Sequence, residues 1–215
     1  MSTIELPREL CPLPSGYRQV RSFHSRRSRF SRHPYGLAMS QDAYSGPDLD
    51  LCGPDLNGVV ADANAVGLRF VVIGGFSVIA NGFVRATDDS DLLVPDDADT
   101  NDAILRFLDQ VNGTRLWDDK KLNGEEIAAA DHLRINSRHG IVDIMRGGLP
   151  PLDYDTVADR AITMDIGGHT VRVAGLRSIV GFKRLANRPR DRNDLMELEA
   201  FHGALPVEDI PGVDG

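Results

Sequence analysis

A short apolar run, Phe70-Val71-Val72-Ile73, ends in Gly74-Gly75-Phe76-Ser77 and is followed downstream by Thr87-Asp88-Asp89-Ser90-Asp91-Leu92-Leu93-Val94. This ordering constrains the fold more than any other stretch of the chain. A buried strand must enter a glycine turn, and a second strand must then carry carboxylates at i and i+2. Side chains two apart on a strand share a face. Asp89 and Asp91 therefore converge, an arrangement suited to Mg²⁺ (or Mn²⁺) and a nucleoside triphosphate. Three acids in four residues also fit a solvated turn. The double glycine before them and the apolar Leu92-Leu93-Val94 after them favour a metal site.

A third carboxylate stands out in Ile141-Val142-Asp143-Ile144-Met145. A lone Asp among apolar strand residues is costly unless it is paired, metal-bound or on a solvent face. Alternation places Asp143 opposite Val142 and Ile144, which leaves exposed face and functional site open. Read together with Asp89 and Asp91, it falls to function.

The remaining pattern is alternating helix and strand. Helical spacing spans 55–66 through Leu56, Val59, Val60 and Ala63, with Gly67 as C-cap. Strands are expected at 69–73, 83–86 and 89–94, and a short helix at 76–81. Thr100 caps a helix to Val111 whose apolar face is Ala103, Ile104, Phe107, Leu108 and Val111. The stretch 113–130, with Trp117 and Lys120-Lys121, has no clear period. Hairpins are expected at 132–145 around Arg138-His139-Gly140 and at 162–173 across Gly167-Gly168, with a short helix at 155–161 between them. Helices at 176–185 and 190–201 follow, the second with Leu195, Leu198 and Phe201 on its apolar side. The tail from Ala204 should fray.

Composition bounds the rest. A chain of 215 residues, 41% hydrophobic and 26% charged, matches one globular domain with a small helical addition. Its expected division is an extension over 1–50, disordered or dispensable, a core over 51–174, a helical part over 175–203 and a flexible tail over 204–215. No run approaches the roughly 18–20 apolar residues of a membrane span. Cys11 and Cys52 lack metal-ligand spacing, which suits a reducing cytoplasm. Net charge is −8, yet residues 1–38 carry seven Arg against two Glu, leaving −13 on the remainder. Those first 38 residues resemble a transit peptide in composition; Glu5, Glu9 and early prolines count against that, and a dispensable segment is preferred. The acidic body argues against broad non-specific nucleic-acid binding. A local basic footprint survives in residues 183–192, where five basic residues face one acid.

The glycine pair, the run Arg85-Ala86-Thr87-Asp88-Asp89-Ser90-Asp91, and Val142-Asp143 together resemble the polymerase-beta-type nucleotidyltransferase superfamily. The likeness runs over about 54–202, and within the superfamily it is nearest to the single-domain group of AbiEii and the mycobacterial MenT toxins. Residues 182–195, from Phe182-Lys183-Arg184 to Asn193-Asp194-Leu195, are similar to that group's lysine-to-aspartate segment. Two departures stand out: Gly75 where many members have serine, with Ser77 two positions later, and Ser90 in place of an apolar residue.

The resemblance implies an α/β (α+β) nucleotidyltransferase fold, a small mixed sheet with flanking helices and a helical C-terminal part. It implies transfer of a nucleoside monophosphate from an NTP to a hydroxyl, with Asp89, Asp91 and Asp143 as metal ligands and catalytic acids. Gly74, Gly75 and Ser77 would meet the triphosphate, aided by the start of the helix at Phe76, and Lys183 would be its catalytic cation. Arg85 would reach the phosphates or pair with an acid such as Asp88. Asp191, placed ahead of Asp194, would orient Lys183 or Arg188 or complement the last helix. The most specific version is a toxin-like enzyme acting on the tRNA 3′ end, with a possible cognate antitoxin. The alternatives are AMP transfer to a protein or to a small molecule such as an aminoglycoside, and a non-catalytic partner in a toxin–antitoxin pair.

Overall fold

The computed structural model describes residues 53–211 and 213; the expectations for residues 1–52, including Cys11 and Cys52, lie outside them. The described chain opens with α1 (Leu56–Ala65), whose start is fixed by the Asp55 side chain accepting from the Gly58 N–H at 3.0 Å. It continues through β1 (Val71–Val72), α2 (Gly74–Ala80), β2 (Asp89–Val94) and α3 (Ala98–Gln110). Next come β3 (Thr114–Arg115), α4 (Gly124–Ala128), β4 (His132–Ser137) and β5 (Gly140–Arg146). The last elements are α5 (Tyr154–Asp159), β6 (Ile162–Ile166), β7 (His169–Val173), α6 (Leu176–Ala186) and α7 (Pro189–His202).

The strands form one mixed sheet in the order β3-β4-β5-β2-β1-β7-β6. β2 runs parallel to β5 and β1 parallel to β7; every other neighbour pair is antiparallel. A mixed sheet with flanking helices is thus what the resemblance implies and what forms. Alternation along β2 divides its residues between the two faces. Ser90, Leu92 and Val94 turn into the main core with Val142 and Ile144, beneath α1 and α3 through Val59, Val60, Ile104 and Phe107. Each large side chain buried there contributes about 1.5–3 kcal/mol. Leu93 joins Val71, Ile73, Val157 and Ala158 on the opposite face, under α5. That same face carries Asp89, Asp91 and Asp143. A third cluster, Val78, Ile179 and Leu198, ties α2 to α6 and α7.

Several expectations change in detail. Residues 83–86 form no strand. The Phe83 N–H closes the end of α2 onto the Val78 carbonyl, and the Ala86 carbonyl accepts from Arg85 Nη1 at 2.8 Å and Arg190 Nη2 at 2.6 Å. Side-chain partners take the place of a ladder. α3 begins earlier than expected because Asp97, not Thr100, is its cap, accepting from the Thr100 N–H at 2.8 Å. The aperiodic stretch 113–130 contains β3 and α4, the latter fixed by a reciprocal capping box between Asn123 and Glu126. On α7, Leu198 is buried while Phe201 is exposed, its ring lying over Gly82 where a Cβ would collide with it. Beyond α7 contacts hold the chain: Ile210 is buried, and Glu208 Oε1 lies 2.7 Å from Arg160 Nη1. No described helix is long and apolar enough to cross a membrane.

Candidate active site

The parallel pairing of β2 with β5 places Asp91 directly beside Asp143, with Asp89 one pleat away on the same face. One carboxylate oxygen from each of Asp89, Asp91 and Asp143 lies within 4.8 Å of the others. The three acids singled out in the sequence are therefore brought together, and Asp143 does not occupy a solvent face. It is buried, and its Oδ1 meets only the His132 imidazole, at 3.4 Å.

The glycine turn determines how closely the chain can approach these acids. Gly74 is left-handed (φ 60°), and a Cβ on it would overlap the Asp91 carboxylate. A Cβ on Gly75 would overlap the Thr87 hydroxyl, and the Gly75 N–H points to Asp91 Oδ2 at 3.4 Å. The Ile73 N–H also donates to the Asp91 carbonyl at 2.9 Å, fixing the turn against β2. Burial, then the neighbouring Asp89 and Asp143 charges, push the Asp91 carboxyl up to about 6. Three like charges this close together, one of them buried, call for a cation.

Two basic side chains not anticipated from the sequence come from β4. Arg134 is the cross-strand neighbour of Asp143, and its guanidinium reaches Asp143 Oδ2 at 3.0 Å and Asp89 Oδ2 at 3.3 Å. His132, two residues earlier and on the same face, sits with Nε2 3.4 Å from Asp143 Oδ1, which raises its imidazole above the ordinary value. The signal was present in the alternation of His132 and Arg134 along the hairpin partner of Asp143, but it required the register to read it.

The residues assigned to the triphosphate are differently disposed. Ser77 is fully buried and its hydroxyl donates to the Gly74 carbonyl at 2.9 Å. In this arrangement it braces the turn. Lys183 is buried on α6, with Nζ 2.8 Å from Asp191 Oδ1 and 2.9 Å from Asp194 Oδ2. Its charge acts on Asp91, opposing that carboxyl's upward shift. Arg85 pairs with Asp194 at 2.7 Å, while Asp88 is taken by Arg190 at 3.0 Å. Burial raises Asp191, but hydrogen bonds from Arg188 and Lys183 outweigh it and hold the carboxyl at about 2. Asp191 also accepts from the Arg188 N–H at 3.1 Å, fastening the first turn of α7. Asp194, ranked behind Asp191 from sequence, likewise joins two cations, Lys183 and Arg85.

No family model matches this chain, and no curated protein does. Among solved structures it is similar to ANT(2'')-Ia in complex with adenylyl-2''-tobramycin, at 14% identity and TM-score 0.46, over 67% of this chain and 86% of that one. The solution structure of the antibiotic-resistance factor ANT(2'')-Ia is matched at 14% identity and TM-score 0.47, over 67% and 80%. An antigenic nucleotidyltransferase-like protein from Paracoccidioides brasiliensis is matched at 15% identity and TM-score 0.47, over 67% and 73%. Likeness at this level fixes no chemistry, and the site's own side chains have to supply it.

The donor set fits a hard divalent cation. All three converging ligands are carboxylate oxygens, and a guanidinium already bridges two of the carboxylates. Asp89, Asp91 and Asp143 are the residues that could hold Mg²⁺ or Mn²⁺. Among the described residues no other group of His, Cys, Asp or Glu converges in this way.

Proposed function

We propose that this protein is a metal-dependent nucleotidyltransferase that transfers a nucleoside monophosphate from an NTP to a hydroxyl acceptor. The observation that carries the proposal is the convergence of Asp89, Asp91 and Asp143 from two paired parallel strands, beside a glycine turn packed directly against the Asp91 carboxylate. Transfer of this kind makes few covalent demands on a protein; alignment and neutralisation of charge supply most of the catalysis.

Asp89 and Asp91 would hold the cations on the nucleotide side, and Asp143 would hold the ion nearest the attacking hydroxyl. When bound, divalent cations would offset the triphosphate charge and make the acceptor hydroxyl easier to deprotonate. In the reaction a bond forms between the acceptor oxygen and the α-phosphorus, and the bond from that phosphorus to pyrophosphate breaks. The hydroxyl proton passes to Asp143 or on to water. The backbone of Gly74 and Gly75 gives the triphosphate close access. Lys183, held in place by Asp191 and Asp194, supplies a fixed positive potential at that end, with Arg85 joined to it through Asp194.

The acceptor proposed is the 3′ end of tRNA, in a cytoplasmic, toxin-like enzyme that a cognate antitoxin would restrain. Support comes from the basic stretch 183–192, where the side chains of Arg188 and Arg190 are 72% and 48% exposed on an otherwise acidic body. Incubation with each labelled NTP and Mg²⁺, in parallel with total tRNA and with an aminoglycoside, tests both levels. Label on RNA that is lost in Asp89→Ala supports the full proposal. Label appearing only on protein or on an aminoglycoside keeps the reaction and moves the acceptor. A protein that binds no NTP is a non-catalytic partner, and the proposal fails.

A further inference from the structure

We infer that Arg134 is the resident counter-ion of the acid cluster, held by Asp89 and Asp143 in the free protein and displaced when divalent cations take the same oxygens. This deepens the proposed metal-dependent reading and rests on it. The position of Arg134 follows from strand register, since β4 pairs it directly with Asp143 and its side chain must share that face. Its fork spans two strands, reaching Asp143 on β5 and Asp89 on β2 through their Oδ2 atoms at 3.0 and 3.3 Å. Both carboxylates belong to the set that a hard cation would use.

A guanidinium and a divalent ion on the same carboxylates repel each other strongly at contact distance, so their occupancies oppose one another. The arginine is free to leave. Its side chain is 39% exposed, whereas Lys183 is buried and already engaged by Asp191 and Asp194. Arg134 is thus a positioning residue that acts through the carboxylates. It keeps three converging acids folded in the absence of metal and sets the cation concentration at which the site fills.

Opposite signs in two assays separate this role from a general structural one. Chelator-treated wild type, Arg134→Gln, Arg134→Lys and Asp89→Asn are titrated calorimetrically with Mn²⁺ alone and melted without metal. Arg134→Gln should bind Mn²⁺ about ten-fold more tightly than wild type, a typical size for coupling between competing ligands, and should melt at a lower temperature when metal-free. Arg134→Lys keeps the charge without the two-armed reach, so its affinity should shift the same way by a smaller factor. Should the glutamine variant not fold, the lysine variant decides. Unchanged or weaker Mn²⁺ binding in the variants, with wild-type binding still dependent on Asp89, overturns the counter-ion role alone. Absence of Mn²⁺ binding in wild type overturns the metal-dependent function with it.

Discussion

Asp89, Asp91 and Asp143 on the sheet and Asp191 and Asp194 on the last helix are two carboxylate groups withdrawn from water, and they are neutralised in opposite ways. The helix pair is matched by Lys183, Arg85 and Arg188 at hydrogen-bonding distance, and Asp191 is held at about 2. The sheet trio has one half-exposed guanidinium and one imidazole among three acids, and Asp91 is pushed up to about 6. Burial of charge alone therefore does not mark a ligand site. The helix group finds its positive charge within the chain; the sheet group is short of it and is the one suited to receive a cation.

The comparison breaks first if the helix group proves dispensable. Asp194→Ala leaves Lys183 with a single carboxylate and Arg85 with none of its acidic contacts. Loss of one partner from such a buried group costs about 3 kcal/mol. Urea unfolding is expected to show that loss with or without Mn²⁺; a cost below about 1 kcal/mol, the level of surface pairs, would make the two groups equivalent. Asp91→Asn should behave in the reverse sense. Transfer falls by about a hundred-fold or more, as for removal of a pre-aligned electrostatic group, while the metal-free protein gains stability because one crowded charge disappears. Initial rates beside thermal melts in chelator measure both effects.

Acidity sharpens the contrast. Asp91 in the folded, metal-free protein holds its proton to about 6, whereas an unfolded Asp releases it near about 3.9. Its contribution is thus fully present below about pH 4 and is lost as pH rises through about 6. Asp191 runs the other way: its contribution is present above about pH 4 and is lost as pH falls toward about 2. Melting the metal-free protein across this range should show the Asp91 limb flattened in Asp91→Asn and the acid limb flattened in Asp191→Asn. Mn²⁺ at neutral pH should restore what the Asp91 limb loses.

How far these two groups were legible in the sequence differs for a physical reason. The sheet acids announced themselves through local pattern, because period two along β2 and β5 settles which side chains share a face. The amphipathic elements followed by the same logic, and Val59, Val60, Ile104 and Phe107 are buried as their spacing predicts. What escaped was decided by partners distant in the chain. Residues 83–86 lost their strand to Arg190 and Asp194, more than a hundred positions away. Arg134 has no distinguishing motif at all; only the strand register places it on Asp143.

Ser90 gives the smallest and cleanest test, since it lies between the two β2 acids yet on the other side of the strand. Its neighbours in the alternation, Leu92 and Val94, enter the main core, and Ser90 itself is fully buried with no hydrogen-bond partner for Oγ. An unsatisfied buried hydroxyl costs about 1–3 kcal/mol relative to an apolar group of the same size. Ser90→Ala removes that cost and leaves only a small gap, so unfolding free energy should rise by about 1 kcal/mol. Because the side chain points away from Asp89 and Asp91, Mn²⁺ affinity and transfer rate should stay at wild-type values. A variant that loses metal binding would mean that the hydroxyl supports the acids through the strand, and that the two faces of β2 are not the independent surfaces that separate scaffold from site.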